Sequence, residues 1–333
     1  MALNSFVGTF WASGFAPWLL RGFSSGFSIA LTSMLRTRSF DAEAIADCTT
    51  GCSEPDWESW PLAQAVWAAF AAERPDRPPP ALVGLKLSRG KMDANRARCP
   101  CCEPPPAGGT TAAHGAWDAY HGWLEEALRA AVERHGFCLL LDVHGQSHRK
   151  GVTELGYLLT SDDLLLSDDA IDRAPPRQSS VDALLRGAAA SQPGGLATLV
   201  RGPASLGGLL ERAGFPCVPS PSSPQPVAEE ALRAAQASKA DIKAALGPPA
   251  AAVAAATYFW GAYTIRRYGA AATVPADGNP VPGEGWARHV SAVQLETSWD
   301  GVRDSQPNRE AFGQALCASA LELLRAWRRW APT

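Results

Sequence analysis

The sequence predicts an α/β fold, a three-layer sandwich around a mostly parallel mixed sheet. Short apolar runs bounded by turn residues alternate along the chain with longer stretches of helical period, the pattern of strands connected by helices. A chain of 333 residues, 46% hydrophobic and 19% charged, is also long and apolar enough to bury a large core.

The elements follow in order. Residues 60–72 (WPLAQAVWAAFAA) space Leu62, Val66, Trp67 and Phe70 on one helical face, and Pro79 and Pro80 break the chain before the apolar run ALVGLKL, a strand. A helix is predicted over 116–135, with Trp117, Tyr120, Leu124, Leu128 and Val132 on one stripe and Gly136 as its stop. It leads into a strand over 137–141. A short helix over 204–213, a strand over 290–295 and a closing helix over 309–327, with Phe312, Leu316, Ala320 and Leu323 in register, complete the pattern. The run PCVPSPSSPQP carries five prolines and reads as an extended loop, and the Ala-rich stretch at about 227–256 reads as an insertion.

The first forty residues differ from the rest. They contain no Asp or Glu, while Arg21, Arg36 and Arg38 sit among seven serines and many Phe, Ala and Leu. Residues 1–32 are therefore expected to form a leader, either transit-like or unstructured, ahead of one domain over 33–333. A transit-like leader would imply a mitochondrial or plastid location, and its absence a cytoplasmic one. No apolar run reaches the roughly 18 residues of a membrane span. The formal charge of -3 offers no basic stripe for phosphates, so no nucleic-acid partner is expected. Eight cysteines scattered through a long chain read as reduced thiols. Cys48, Cys52, Cys99, Cys101 and Cys102 lack the paired spacing of a structural zinc site.

The stretch LLLDVHGQSH, residues 139–148, runs from apolar residues into an acid and two histidines. At the carboxyl end of a central parallel strand these residues occupy the place where open α/β sheets build their sites. There a neutral His144 presents a lone pair to a metal, and Asp142, two residues away on the same face, fixes its tautomer. The alternative for DVH alone is a polar turn.

Five blocks in sequence carry a resemblance: GLKLSRGKMDANR, LLLDVHGQSHRKGVTELGYLL, RGPASLGGLLERAGFPCVPSPSSPQP, YFWGAYTIRRYG and VSAVQLETSWDGVR. In order and approximate spacing, from about Ser33 to Leu324, they resemble the N-formylglutamate amidohydrolase family. The resemblance implies a fold similar to zinc carboxypeptidases and a metal-dependent amide hydrolase acting on a small carboxylated N-acyl amino acid. It implies one zinc ion with His144 as a ligand and Asp56, in DWESWPLAQAV, as a second. The other reading of Asp56 is an acid favoured by a helix N-terminus. His148 is an extra ligand, a substrate contact or a solvated turn residue. Glu296, in the QLE position, is the implied acid/base. Asn95 and Arg96 resemble a pair that grips a substrate carboxylate, a geometry a guanidinium suits. Arg89 or Arg266 adds charge for a second carboxylate or the oxyanion. Arg303 has no assigned role.

The sequence departs from that family at one point. The family's early PHxG element is absent, and the six histidines are His114, His121, His135, His144, His148 and His289, none ahead of Ser33. Three protein ligands are the norm for catalytic zinc, so zinc is expected to be weakly held. A catalytically impaired or non-catalytic relative, which keeps the fold and binds a carboxylate, is the alternative function.

Overall fold

Alternation along two strands sets the layers. The structure, a computed structural model, describes residues 10–13, 28–34, 56–85, 87, 89, 91–98, 111–146, 151–173, 179–188, 194–226, 258–269 and 285–328. Cys138–Gly145 (β4) and Val290–Thr297 (β7) are apolar in alternate directions, as strands buried on both faces must be. Leu139, Leu141, Val143, Val293 and Leu295 join one core, while Cys138, Leu140 and Ala292 join another on the opposite face.

The other strands are Phe10–Ser13 (β1), Ser28–Met34 (β2), Ala81–Leu85 (β3), Thr153–Gly156 (β5) and Cys217–Val218 (β6). They form one mixed sheet in the order β1-β3-β2-β4-β7-β5-β6. The four central strands β3, β2, β4 and β7 run parallel, whereas β1 and β5 are antiparallel to β3 and β7.

Helices cover both faces. Ser59–Glu73 (α1) places Leu62, Val66 and Phe70 in the first core, together with Phe312, Leu316, Ala320 and Leu323 of the closing helix, Gln306–Arg328. Thr111–His135 (α2) places Trp117, Tyr120, Leu124, Leu128 and Val132 against the second. Its stop is Gly136, whose φ of 70° lies where a Cβ is unfavourable and whose N–H bonds the Val132 carbonyl at 2.7 Å. Short helices fill the connections: Ser161–Leu164 (α3), Asp168–Arg173 (α4), Asp182–Gly187 (α5), Leu196–Arg201 (α6), Leu206–Arg212 (α7) and Tyr263–Tyr268 (α8), so that the closing helix is α9. No helix of the described residues is long and apolar enough to cross a membrane. Cys138, Cys217 and Cys317 are buried.

One strand, β1, falls within the segment 1–32 read as a leader, and a second, β2, begins in it and runs past its end. Residue 33 lies inside β2, between β3 and β4, and not at a domain boundary. The physical reason is that SIALTSM, short and without clear alternation, gains parallel backbone partners on both sides, which outweigh its weak intrinsic signal. The insertion at 227–256 lies outside the described residues. Leu140 is fully buried on β4, and Leu140→Ala is expected to cost about 3 kcal/mol through lost transfer energy and a residual cavity. A urea unfolding midpoint measured against the unsubstituted chain checks it.

Candidate active site

The parallel pairing of β4 and β7 brings two sequence-distant groups side by side. His144 is the register partner of Glu296, and both stand at the carboxyl ends of central strands. The Thr297 hydroxyl donates to the His144 carbonyl at 2.6 Å, and the Gln146 N–H to the Thr297 carbonyl at 3.0 Å, which ties the two ends together. Antiparallel pairing of β5 with β7 sets Glu154 opposite Glu296 on the other side. The end of β2 reaches the same edge, because Thr32 pairs with Asp142 and Ser33 with Val143.

His144, 1% exposed, stands between two carboxylates. Its Nδ1 lies 2.6 Å from Asp56 Oδ2, and its Nε2 lies 3.1 Å from Asp142 Oδ2. The second contact is at ion-pair distance but misaligned, so Nε2 and both Asp142 oxygens lack a hydrogen-bond partner. Burial alone would depress the imidazole, but Asp142 and Asp56 together outweigh it and hold its pKa well above the usual histidine value. Burial likewise opposes ionisation of Asp56, and the bond and charge of His144, with Arg89 and Arg303, hold its carboxyl below the usual range. Asp56 does not cap α1: its backbone carbonyl accepts from Ser59 N while its side chain turns to His144 and Arg89.

Glu296 is 6% exposed, and burial pushes its pKa up to about 7, helped by the charges of Asp56 and Glu154 and opposed by His144 and Gln294. Gln294 is fixed from both ends. Its Oε1 accepts from Ala262 N at 2.7 Å, so its Nε2 is the atom that donates to Glu296 Oε1 at 2.6 Å. Glu154 Oε2 accepts from Phe259 N at 2.7 Å.

The raised Glu296 pKa has a stability consequence of definite sign. Between its ordinary value of 4.5 and about 7 the native carboxyl keeps a proton that the unfolded chain has released, so its contribution falls as pH rises through that window. Glu296→Gln removes the titration and is expected to gain on the order of 3 kcal/mol relative to the parent between pH 4 and pH 8. Unfolding curves of both proteins at the two pH values check this.

Comparison with known proteins adds little to this geometry. No protein-family model matches the chain, and no curated protein matches it. In structure it is similar to the gene product Atu2144 from Agrobacterium tumefaciens, at 13% identity over 91% of this chain and 92% of that one, with a TM-score of 0.43. It is also similar to the N-formylglutamate amidohydrolase from Ralstonia eutropha JMP134, at 12% identity over 97% of this chain and 99% of that one, with a TM-score of 0.41.

The remaining candidates divide by position. Arg89 is committed to carboxylates of the protein, reaching Asp93 Oδ2 at 2.9 Å and Asp56 Oδ1 at 3.3 Å, so it orients Asp56. Asn95 is buried, its Oδ1 accepting from Thr264 N at 2.9 Å. Arg96 is exposed and donates back to the Asn95 carbonyl at 3.0 Å. Arg266 is exposed beside the Trp260 ring, 5.7 Å from its centroid. His148 and Cys48, Cys52, Cys99, Cys101 and Cys102 lie outside the described residues.

Arg303, left without a role by the sequence, proves central. Buried at the end of the kinked turn Trp299–Arg303, it donates from Nε to the Thr297 and Ser298 carbonyls at 3.2 Å, from Nη2 to the Gln146 carbonyl at 2.6 Å and from Nη1 to the Trp57 carbonyl. It thereby fastens the Asp56 loop to the ends of β4 and β7. Gly145 admits it: a Cβ there would stand 2.3 Å from the guanidinium carbon.

Zinc finds an incomplete donor set here. The orphaned His144 Nε2 and Asp142 oxygens are atoms of the right type, but they belong to two residues. Among the described residues no group of three His, Cys, Asp or Glu is arranged to hold a metal ion. Asp56 is engaged with the far nitrogen of the same imidazole, where it orients the ring. The described residues do not fit a three-ligand catalytic zinc.

Proposed function

We propose that the chain is an amide hydrolase of the N-formylglutamate amidohydrolase type, built on a carboxypeptidase-like sandwich over one domain and acting on carboxylated N-acyl amino acids. The observation that carries this reading is Glu296, a buried carboxyl with a pKa of about 7 beside His144 at the ends of two parallel strands. A carboxylate so poised takes a proton from an attacking water and returns it to the leaving nitrogen. Gln294 keeps one of its oxygens oriented, and in this reading the cationic His144, the register partner of Glu296, offsets the negative charge that builds on the carbonyl oxygen. Asn95 and Arg96 are the proposed carboxylate contacts, with Arg266 as further charge.

The family resemblance also implies zinc on His144 and Asp56, and the donor set described above leads us to expect weak binding. Zinc per chain and N-formylglutamate turnover, each with a His144→Ala control, test both points. His144-dependent turnover supports the hydrolase, and stoichiometric zinc would show that a ligand outside the described residues completes the site. A second reading, a non-catalytic relative that binds a carboxylate, is favoured by the engagement of both His144 nitrogens by carboxylates. Absence of turnover at every zinc concentration, with carboxylate binding retained, selects it.

A further inference from the structure

Among the described residues four large apolar side chains are exposed, and three of them stand on segments that carry or bond residues of the carboxylate cluster. Trp57, 55% exposed, follows Asp56 in the chain; Trp299, 42% exposed, follows Glu296 by three residues; Phe259, 37% exposed, gives its backbone N–H to Glu154. Arg303 links the first two, bonding the Trp57 carbonyl while its guanidinium carbon lies 5.6 Å from the centroid of the Trp299 ring. Partly exposed large apolar groups on the segments that frame a buried polar cluster match the composition of a ligand mouth, apolar walls with a few fixed polar groups inside. Arg303, which fastens the Asp56 loop to the ends of β4 and β7, thereby joins the segments that carry Trp57 and Trp299.

We infer that the site takes amides carrying an aromatic or other bulky apolar group, which packs on Trp57, Trp299 and Phe259 while the amide reaches Glu296. This rests on the hydrolase reading for its chemistry, but its binding part stands separately. The apolar group belongs either to the acyl half or to the amino-acid half of the substrate, and both present the same surface to the rim.

The test uses three ligands on the full chain: N-formylglycine as reference, N-benzoylglycine with its ring in the acyl half, and N-formylphenylalanine with its ring in the amino-acid half. Calorimetric titration on the Glu296→Gln protein measures binding without turnover, and initial rates on the unsubstituted chain measure hydrolysis. At least one ring-bearing ligand is expected to bind tenfold or more tighter than the reference, and Trp57→Ala or Trp299→Ala is expected to erase most of that difference. Which ligand gains identifies the half that carries the ring. Equal binding of all three overturns the inference and leaves the hydrolase reading standing, whereas preferential binding without hydrolysis of any amide sinks the hydrolase and keeps the rim. A concentration-dependent dimer that Trp299→Ala dissociates would assign the rim to self-association and also overturn the inference.

Discussion

Glu296→Gln is expected to lower hydrolysis of N-acyl amino acids by about a hundred- to ten-thousand-fold, the usual contribution of a positioned acid/base. The substitution keeps the shape of the side chain, and a glutamine oxygen can still accept from Gln294 Nε2. The loss should therefore fall on kcat, with KM little changed. Under the proposed mechanism the ionised form is the base, so kcat/KM is expected to rise with pH through about 7, to which burial raises the Glu296 carboxyl. The glutamine variant should lack that limb. A variant that keeps both the rate and the limb would remove Glu296 from the chemistry. The same change is expected to stabilise the protein at pH 8, so a simple folding defect cannot imitate the predicted loss.

Arg303→Met should have the largest effect on the fold of the site. Arg303 is 3% exposed, and its guanidinium satisfies the carbonyls of Trp57, Gln146 and Ser298, which lie on three separate segments. Removing it leaves buried carbonyls without their donor, an outcome expected to destabilise by about 3–5 kcal/mol. Arg303→Lys should recover only part of this, because one ammonium lacks the planar fork that reaches all three segments. The measurement is the unfolding midpoint together with hydrogen exchange over residues 56–58. An unchanged midpoint in the methionine variant would mean that the Asp56 loop is held by something other than Arg303.

What the sequence made legible is uneven, for physical reasons. Long helices with a full apolar stripe were read within a few residues: 116–135 against Thr111–His135, and 309–327 against Gln306–Arg328. The buried run at 137–141 was read as a strand, but β4 continues to Gly145, so Asp142 and His144 lie within it. Polar site residues interrupt the apolar signal at the point where function is placed. Strands β5 and β6 were missed, since TELG and CV are too short to show a period and exist through pairing with distant strands. The role of Arg303 had no signature at all. Its partners are backbone carbonyls, which no residue identity encodes. Asp142 and His144 were legible because they share one strand, whereas Gln294 as the partner of Glu296 depended on an amide orientation set by Ala262.

The bond from Thr297 to the His144 carbonyl spans 153 residues of chain. The pairing that brings His144 beside Glu296 therefore closes one of the longest loops in the molecule, and closure entropy has to be met before any of its contacts form. Helices α2 and α9 are local and can appear early, while the β4–β7 pairing is expected to come late on refolding. The protein should regain most of its helical circular dichroism before it regains any ligand binding. During that interval the unpaired edge of β4, a run of buried apolar residues, is exposed to other chains, so the recovery of active protein should fall as refolding concentration rises.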